Sequence, residues 1–337
     1  MCAVKHLDTV EAYAKWHKNF RKKNPDKTVG LVPTLGALHD GHMALIEASM
    51  ARCDATVVYI FLNPLQFGPT EDLNTYPQSL ESDLARCKAA GVDVVFSPTV
   101  ADIYPEGQDD IVRVHPPARL NRVACGLSRP HFFAGVCTVL VKMFNLMQPD
   151  VAFFGEKDYQ QLVIVRNMVE ALNMPLAIES VATVRDSDGL ALSSRNAYLV
   201  DPVHRKQAYL LQEMLGQLQR RAASGETRTA RLKDAVAKTW LFQQFAPDFR
   251  LDYLVAVDEQ TLQPVQMVTP TTRWLIAGWV ADIRLIDNGP AYAALGSGNG
   301  KPSGAKISRD SAPAEAVSDP MHIASNPVAD SSPTPVA

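Results

Sequence analysis

The stretch that constrains this chain most is residues 29–46, Val-Gly-Leu-Val-Pro-Thr-Leu-Gly-Ala-Leu-His-Asp-Gly-His-Met-Ala-Leu-Ile. A short apolar strand over 29–32 stops at Pro33, the chain turns through Gly36 and Gly41, and an amphipathic helix starts near His42 with Met43, Leu45 and Ile46. Such a strand, loop and helix N-terminus favours an anion, because unpaired backbone N–H groups and the positive end of the helix dipole face the junction. Gly36 lets a phosphate approach the backbone without meeting a Cβ, and Gly41 frees the turn into the helix. His39 and His42 stand three residues apart at the same spot and can donate hydrogen bonds to phosphates as negative charge develops. The same pair could bind zinc or merely cap the helix. A zinc site needs further ligands, none of which lies close in sequence, and Cys-x-x-Cys and His-Glu-x-x-His are absent.

The following segments repeat the alternation of strand and helix. Residues 56–62, Thr-Val-Val-Tyr-Ile-Phe-Leu, form a continuous β-branched and apolar run, which predicts a strand buried on both faces of a parallel sheet. The loop that follows, over 63–70, places Asn63 and Gln66 just past the carboxyl end of that strand, where ligands sit in open α/β sheets. The two amides could bind a small polar substrate or only brace a proline turn. A first helix over 1–23, a helix over 78–90, a strand over 93–96, a helix over 135–148 and a strand over 151–154 extend the pattern.

Directly after that last strand come Gly155, Glu156, Lys157, Asp158 and, on the helix running to about 172, Gln161. Gly155 permits close approach, Lys157 supplies a mobile cation, and Asp158 could take a ribose hydroxyl or the magnesium that travels with a nucleotide. The plain alternative is a helix with an acidic first turn. A strand over 177–184 leads to Leu192, Ser193, Ser194 and Arg195, a compact clamp for oxyanions or a polar interdomain loop. Two helices over 204–223 and 227–245 then precede three short strands over 251–257, 273–280 and 282–286, an order that predicts a small α+β domain. From Gly296 the composition turns to Gly, Ser, Pro, Ala and Asp, too poor in large apolar groups to offset its ordering entropy. No internal repeat is present.

With 337 residues, 47% hydrophobic residues and a net charge of -3, the chain has enough apolar content for two cores and lacks the basic excess of a nucleic-acid or membrane surface. Five cysteines without framework spacing predict reduced thiols and a cytoplasmic location. The most apolar helix, over 135–147, is too short to span a bilayer and contains Lys142. The expected fold class is α/β: a Rossmann-like parallel sheet over 1–185, a smaller α+β domain over 186–290 and a disordered tail over 291–337. Four loops that each follow a parallel strand converge on one sheet edge with two histidines, a lysine, an arginine and two serines. Gly-x-Gly-x-x-Gly is absent, so the set suits electrostatic stabilisation of phosphoryl or nucleotidyl transfer.

The segment His39-Asp40-Gly41-His42 resembles the His-x-Gly-His element of nucleotidylyltransferases and class I aminoacyl-tRNA synthetases. Together with Pro33 to His42, residues 61–67 (Phe-Leu-Asn-Pro-Leu-Gln-Phe), 154–161 (Phe-Gly-Glu-Lys-Asp-Tyr-Gln-Gln) and 188–196 (Asp-Gly-Leu-Ala-Leu-Ser-Ser-Arg-Asn) resemble the pantoate–β-alanine ligase family over residues 4–288. That resemblance implies ATP-dependent condensation of pantoate with β-alanine through a pantoyl adenylate, releasing pyrophosphate and AMP. It carries an ATP site onto Leu35, Gly36, Ala37, Leu38, His39, Asp40, Gly41 and His42, onto Gly155, Glu156, Lys157 and Asp158, and onto Val184, Leu192, Ser193, Ser194 and Arg195. By the same resemblance His42 is the proton donor and His39, Lys157, Ser193, Ser194 and Arg195 act with it, while Gln66 and Gln161 hold pantoate. Magnesium rides on the phosphates, with Asp83 a candidate protein contact, and the protein is a homodimer whose second domain acts as a lid.

Two positions depart from the family pattern. Leu35 stands where Met is usual, a volume-conserving change. The usual Arg-Pro-Gly-His-Phe reads Arg129-Pro130-His131-Phe132-Phe133, so its glycine and histidine are out of alignment and no role is carried over. Two other functions compete: a nucleotidylyltransferase acting on a different, phosphorylated acceptor, which has no need of Gln66 and Gln161, and a silent nucleotide-binding regulator that binds ATP without turnover.

Overall fold

The structure is a computed structural model that describes residues 4–240 and 246–292. The expected tail therefore lies, apart from residues 291 and 292, outside the described residues. The first part of the chain runs β1 (Lys5–Leu7), α1 (Val10–Lys23), β2 (Val29–Thr34), α2 (Asp40–Arg52), β3 (Ala55–Ile60), α3 (Leu80–Ala90) and β4 (Val94–Phe96). Three single turns, α4 (Val100–Ile103), α5 (Ala118–Asn121) and α6 (Cys125–Ser128), precede α7 (Phe132–Met147), β5 (Val151–Gly155), α8 (Tyr159–Ala171) and β6 (Ala177–Val181).

The six strands form one parallel sheet in the order β1-β4-β3-β2-β5-β6. The most continuous apolar runs, β2 and β3, occupy its centre, paired from Val29 against Ala55 to Thr34 against Ile60, as strands covered on both faces should. The first helix is shorter than expected. Lys5–Leu7 leave it to pair with β4 as an edge strand, and the Thr9 side chain caps α1 by accepting from the Ala12 N–H. A three-residue strand with one buried side chain, Leu7, carries too little periodicity to be seen in sequence.

The second part runs α9 (Pro202–Ala208), α10 (Leu210–Ala223), α11 (Thr229–Trp240), β7 (Phe249–Asp258), β8 (Thr272–Val280) and β9 (Ile283–Pro290). The expected helix over 204–223 is broken at Tyr209, and that over 227–245 starts at Thr229, after Arg228 pairs with Met267 in an isolated bridge, and runs through its described residues to Trp240. The three strands form an antiparallel sheet, β7-β8-β9. Alternation along β7 explains its place. Leu254 and Ala256 pack with Trp274, Leu211 and Leu218 against this domain's own helices, whereas Tyr253, Val255 and Val257 join the core of the first domain. The small sheet thus has one face on each body, and its β9 edge reaches the carboxyl ends of the parallel strands.

Candidate functional site

Strands β3, β2, β5 and β6 are neighbours in the sheet, so the loops that follow them share one edge. Between that edge and the small sheet lies a cleft of about 1040 Å³. Leu35, His39, Gly41, His42, Gln66, Gly155, Lys157, Asp158, Gln161, Val184, Leu192, Ser193, Ser194 and Arg195 line it. Gly36, Ala37, Leu38, Asp40 and Glu156 do not: Leu38 is buried in the core, Asp40 pairs with Arg86 at the surface, and Glu156 faces Arg273.

The loop after β2 has a specific construction. Gly36 and Ala37 both take left-handed backbone angles, φ 88° and 51°, a reversal for which glycine is the natural first residue. The reversed backbone is held from beneath by Asp83 of α3, which accepts from the Ala37 N–H at 2.9 Å and the Leu38 N–H at 2.7 Å. Both carboxylate oxygens of this buried side chain therefore face the backbone, and burial pushes its carboxyl up from the ordinary value. As a magnesium contact Asp83 is poorly placed, because it is buried beneath the loop with both oxygens toward the backbone and does not line the cleft.

His39 caps α2 and His42 completes the box. His39 Nδ1 accepts from the Gly41 N–H at 3.1 Å, and His42 Nδ1 accepts from the His39 N–H at 3.2 Å. The rings lie 4.0 Å apart. Burial, then the Lys157 charge, lowers the His39 pKa to about 4, and burial followed by His39 and Lys157 holds His42 well below the ordinary value. Both rings are consequently neutral near pH 7, and with Nδ1 accepting, the proton resides on Nε2. The capping role and the donor role coexist, since one nitrogen serves the helix and the other remains an N–H donor.

The other loops complete the edge. A Cβ at Gly155 would meet nothing within 4 Å, so the strand end is open to the cleft, beside Lys157, whose Nζ is 3.7 Å from Asp158. Gln66 sits in a 3-10 turn, Pro64–Gln66, because Gly135 of α7 lets that turn approach: a Cβ there would lie 2.1 Å from the Leu65 carbonyl oxygen. The Asn63 Nδ2 group donates to Gln66 Oε1 at 3.0 Å and to the Gly135 carbonyl, so Asn63 braces the turn and Gln66 presents its own amide N–H groups. After β6, the Leu192 N–H bonds the Val184 carbonyl, Ser193 caps the turn that carries Arg195, and Ser194 Oγ donates to the Ala37 carbonyl at 3.1 Å. Arg195 is held by Asp72 through two bonds of 2.9 and 2.7 Å.

A family model described as pantoate-beta-alanine ligase matches residues 5–290. The chain belongs to the pantoate–β-alanine ligase family. Within it, the chain is 47% identical over 265 residues to a bifunctional pantoate ligase/cytidylate kinase of Thermosynechococcus vestitus, spanning 79% of this chain but only 51% of that protein. It is 43% identical over 282 residues to pantothenate synthetase of Geobacter sulfurreducens, 84% of this chain and 96% of the relative. A pantoate–β-alanine ligase of Francisella tularensis, solved with beta-gamma ATP and beta-alanine, superposes with a TM-score of 0.71 at 29% identity over 86% of this chain and 98% of that one.

In this member of the pantoate–β-alanine ligase family, Arg129 of the divergent segment pairs with Glu71 and stacks 3.9 Å over Phe132, while His131 Nε2 lies 3.6 Å from Glu71. Sequence reasoning missed Glu71, Asp72, Tyr76, Arg129 and Tyr198 in the cleft wall, and Tyr253 and Arg284 from the small sheet. The Asp72–Arg195 pairing joins loops 123 residues apart, and neither loop has a period that would mark it.

Proposed function

We propose that the chain joins (R)-pantoate to β-alanine at the expense of ATP. The observation that carries the reading is the pair of imidazoles capping the α2 N-terminus, in a cleft that Lys157, Gln66 and Gln161 also line. A carboxylate oxygen of pantoate attacks the α-phosphorus of ATP, the bond to the β-phosphate oxygen breaks, and pyrophosphate leaves. The amine of β-alanine then attacks the acyl carbon of the adenylate, AMP leaves with the bonding pair, and the ammonium proton passes to solvent. Neither half needs a nucleophile from the protein, so catalysis lies in positioning, charge stabilisation and exclusion of water from the mixed anhydride.

His42, with His39 beside it, donates from Nε2 to the phosphate oxygens as charge moves onto them. Lys157 meets the phosphates, Asp158 the ribose, and the backbone around Val184 the adenine. Ser193 and Arg195 close over the triphosphate, with Leu192 and Ser194 fixing their turn to the glycine loop. Gln66 and Gln161 donate to pantoate. The N-terminal body over 1–185 binds ATP and pantoate, and the region over 186–290 serves as lid. Magnesium would come bound to the phosphates of ATP, where it would neutralise charge on the departing pyrophosphate. Among the described residues no helix is long and apolar enough to cross a membrane, and Cys53, Cys87, Cys125 and Cys137 are buried free thiols, which supports a cytoplasmic location. A homodimer completes the reading, and sedimentation checks it.

The experiment is AMP release from ATP and magnesium with pantoate alone, β-alanine alone and both together. Release that requires both supports the ligase, with His42→Ala slower by on the order of 10²-fold or more. Release with another acid in place of pantoate overturns the substrate.

A further inference from the structure

The turn that carries Lys157 is held by the small sheet as well as by its own strand. Asn288 of β9 projects its amide nitrogen onto two successive carbonyl oxygens of that turn, Glu156 at 2.9 Å and Lys157 at 2.8 Å. The orientation of the amide is fixed from the other side. Arg273 of β8 donates from Nη1 to Asn288 Oδ1 at 2.5 Å, so the oxygen faces the arginine and the NH2 group faces the turn. Arg273 also lies 3.8 Å over the ring of Tyr159, the first residue of α8, and its Nη2 is 3.5 Å from Glu156 Oε2. One residue back, Asp287 takes two bonds from Arg185 at 2.7 and 2.8 Å and accepts from the Asn288 N–H at 2.7 Å. Asn288 and Asp287 are each only 4% exposed.

This arrangement is more than a domain contact. The carbonyls of residues 156 and 157 belong to the 3-10 turn Glu156–Asp158, which leads directly into α8 and has no side-chain cap of its own. Asn288 donates to both of them, from an element 131 residues away, and so pins the turn to the small sheet. Arg185 ties the same β9 segment to the start of the connection that leads to Ser193 and Arg195. The seat of β9 therefore sets the height of the Lys157 turn and the origin of the clamp loop together.

We propose that Asn288 is a positioning residue for Lys157, transmitting the seat of the C-terminal sheet to the phosphate-binding turn and so to the adenylation half-reaction. The inference rests on Lys157 meeting the phosphates of ATP. The test is pantoate-dependent exchange of labelled pyrophosphate into ATP in the full chain, with Asn288→Ala, Lys157→Ala and the double variant compared. Displacement of the turn by a fraction of an ångström to an ångström lowers exchange at limiting ATP by roughly 10- to 100-fold in Asn288→Ala. In the Lys157→Ala background the same change should cost less than about twofold, because its effect passes through the missing lysine. A purely structural role would instead give multiplicative losses. Asn288→Asp keeps the volume but turns an oxygen toward two carbonyls, so it gives the same loss and carries the test if the alanine variant does not fold. Wild-type exchange in both Asn288 variants, or losses that multiply in the double variant, overturns the proposal while leaving Lys157 in its role. Wild-type exchange in Lys157→Ala would overturn that role, and the proposal with it.

Discussion

Asp83→Asn isolates the support beneath the histidine loop. The carboxylate is 2% exposed and gives one oxygen to each of two backbone donors, at 2.7 and 2.9 Å. Asparagine fits the same space and keeps one acceptor, but its NH2 group must then face an N–H, leaving one buried donor unsatisfied and one charge-assisted bond lost. Such a change costs about 2–3 kcal/mol, or a fall in Tm of roughly 3–4 °C for a chain of this size. Because Gly36 and Ala37 hold left-handed angles only while that reversal is anchored, the start of α2 shifts, and with it both imidazoles. Adenylation should fall by up to about 10²-fold. The assay pairs thermal unfolding with pyrophosphate exchange at two magnesium concentrations. A variant as stable and as active as the parent, or one restored by raising magnesium, would refute the reasoning, the second result by making Asp83 a metal contact after all.

Three further perturbations follow from the same geometry. Gly135→Ala places a Cβ 2.1 Å from the Leu65 carbonyl oxygen, so α7 and the Gln66 turn must part; stability should drop by about 1–3 kcal/mol and pantoate affinity should weaken, read by unfolding and calorimetry. His39 titrates near its ordinary value when unfolded but at about 4 when folded. Between those values the unfolded chain binds more protons, so stability is full above about 6.5 and is lost as pH falls toward 4. His39→Asn keeps an N-cap and should flatten that part of a Tm-against-pH curve; an unchanged slope would speak against the lowered pKa. Asp72→Asn removes one charge-assisted bond from Arg195 and should raise the KM for ATP by roughly tenfold with kcat less affected, measured by steady-state kinetics.

Much of this architecture can be read in the chain. The runs at 29–32 and 56–62 mark central parallel strands, and once four strands are parallel their following loops must meet at one edge, which is why His42, Lys157, Arg195 and Gln66 share a cleft. What escapes is set by contacts between distant positions. Asp83 meets Leu38 across 45 residues and Asn288 meets Lys157 across 131, and neither side chain differs in sequence from an ordinary helical Asp or strand-end Asn. The edge strand β1 is too short to show a period, and the break at Tyr209 interrupts a helix without glycine or an internal proline to announce it. The divergent segment at Arg129 is legible as a departure, yet only the fold shows that its arginine and histidine both address Glu71.

The most direct measurement is exchange of labelled pyrophosphate into ATP with magnesium and pantoate, in the absence of β-alanine. The expected result is exchange that depends on pantoate and falls by on the order of 10²-fold or more in His42→Ala. Exchange without pantoate, or exchange indifferent to the loss of His42, would contradict adenylation of pantoate at this imidazole pair.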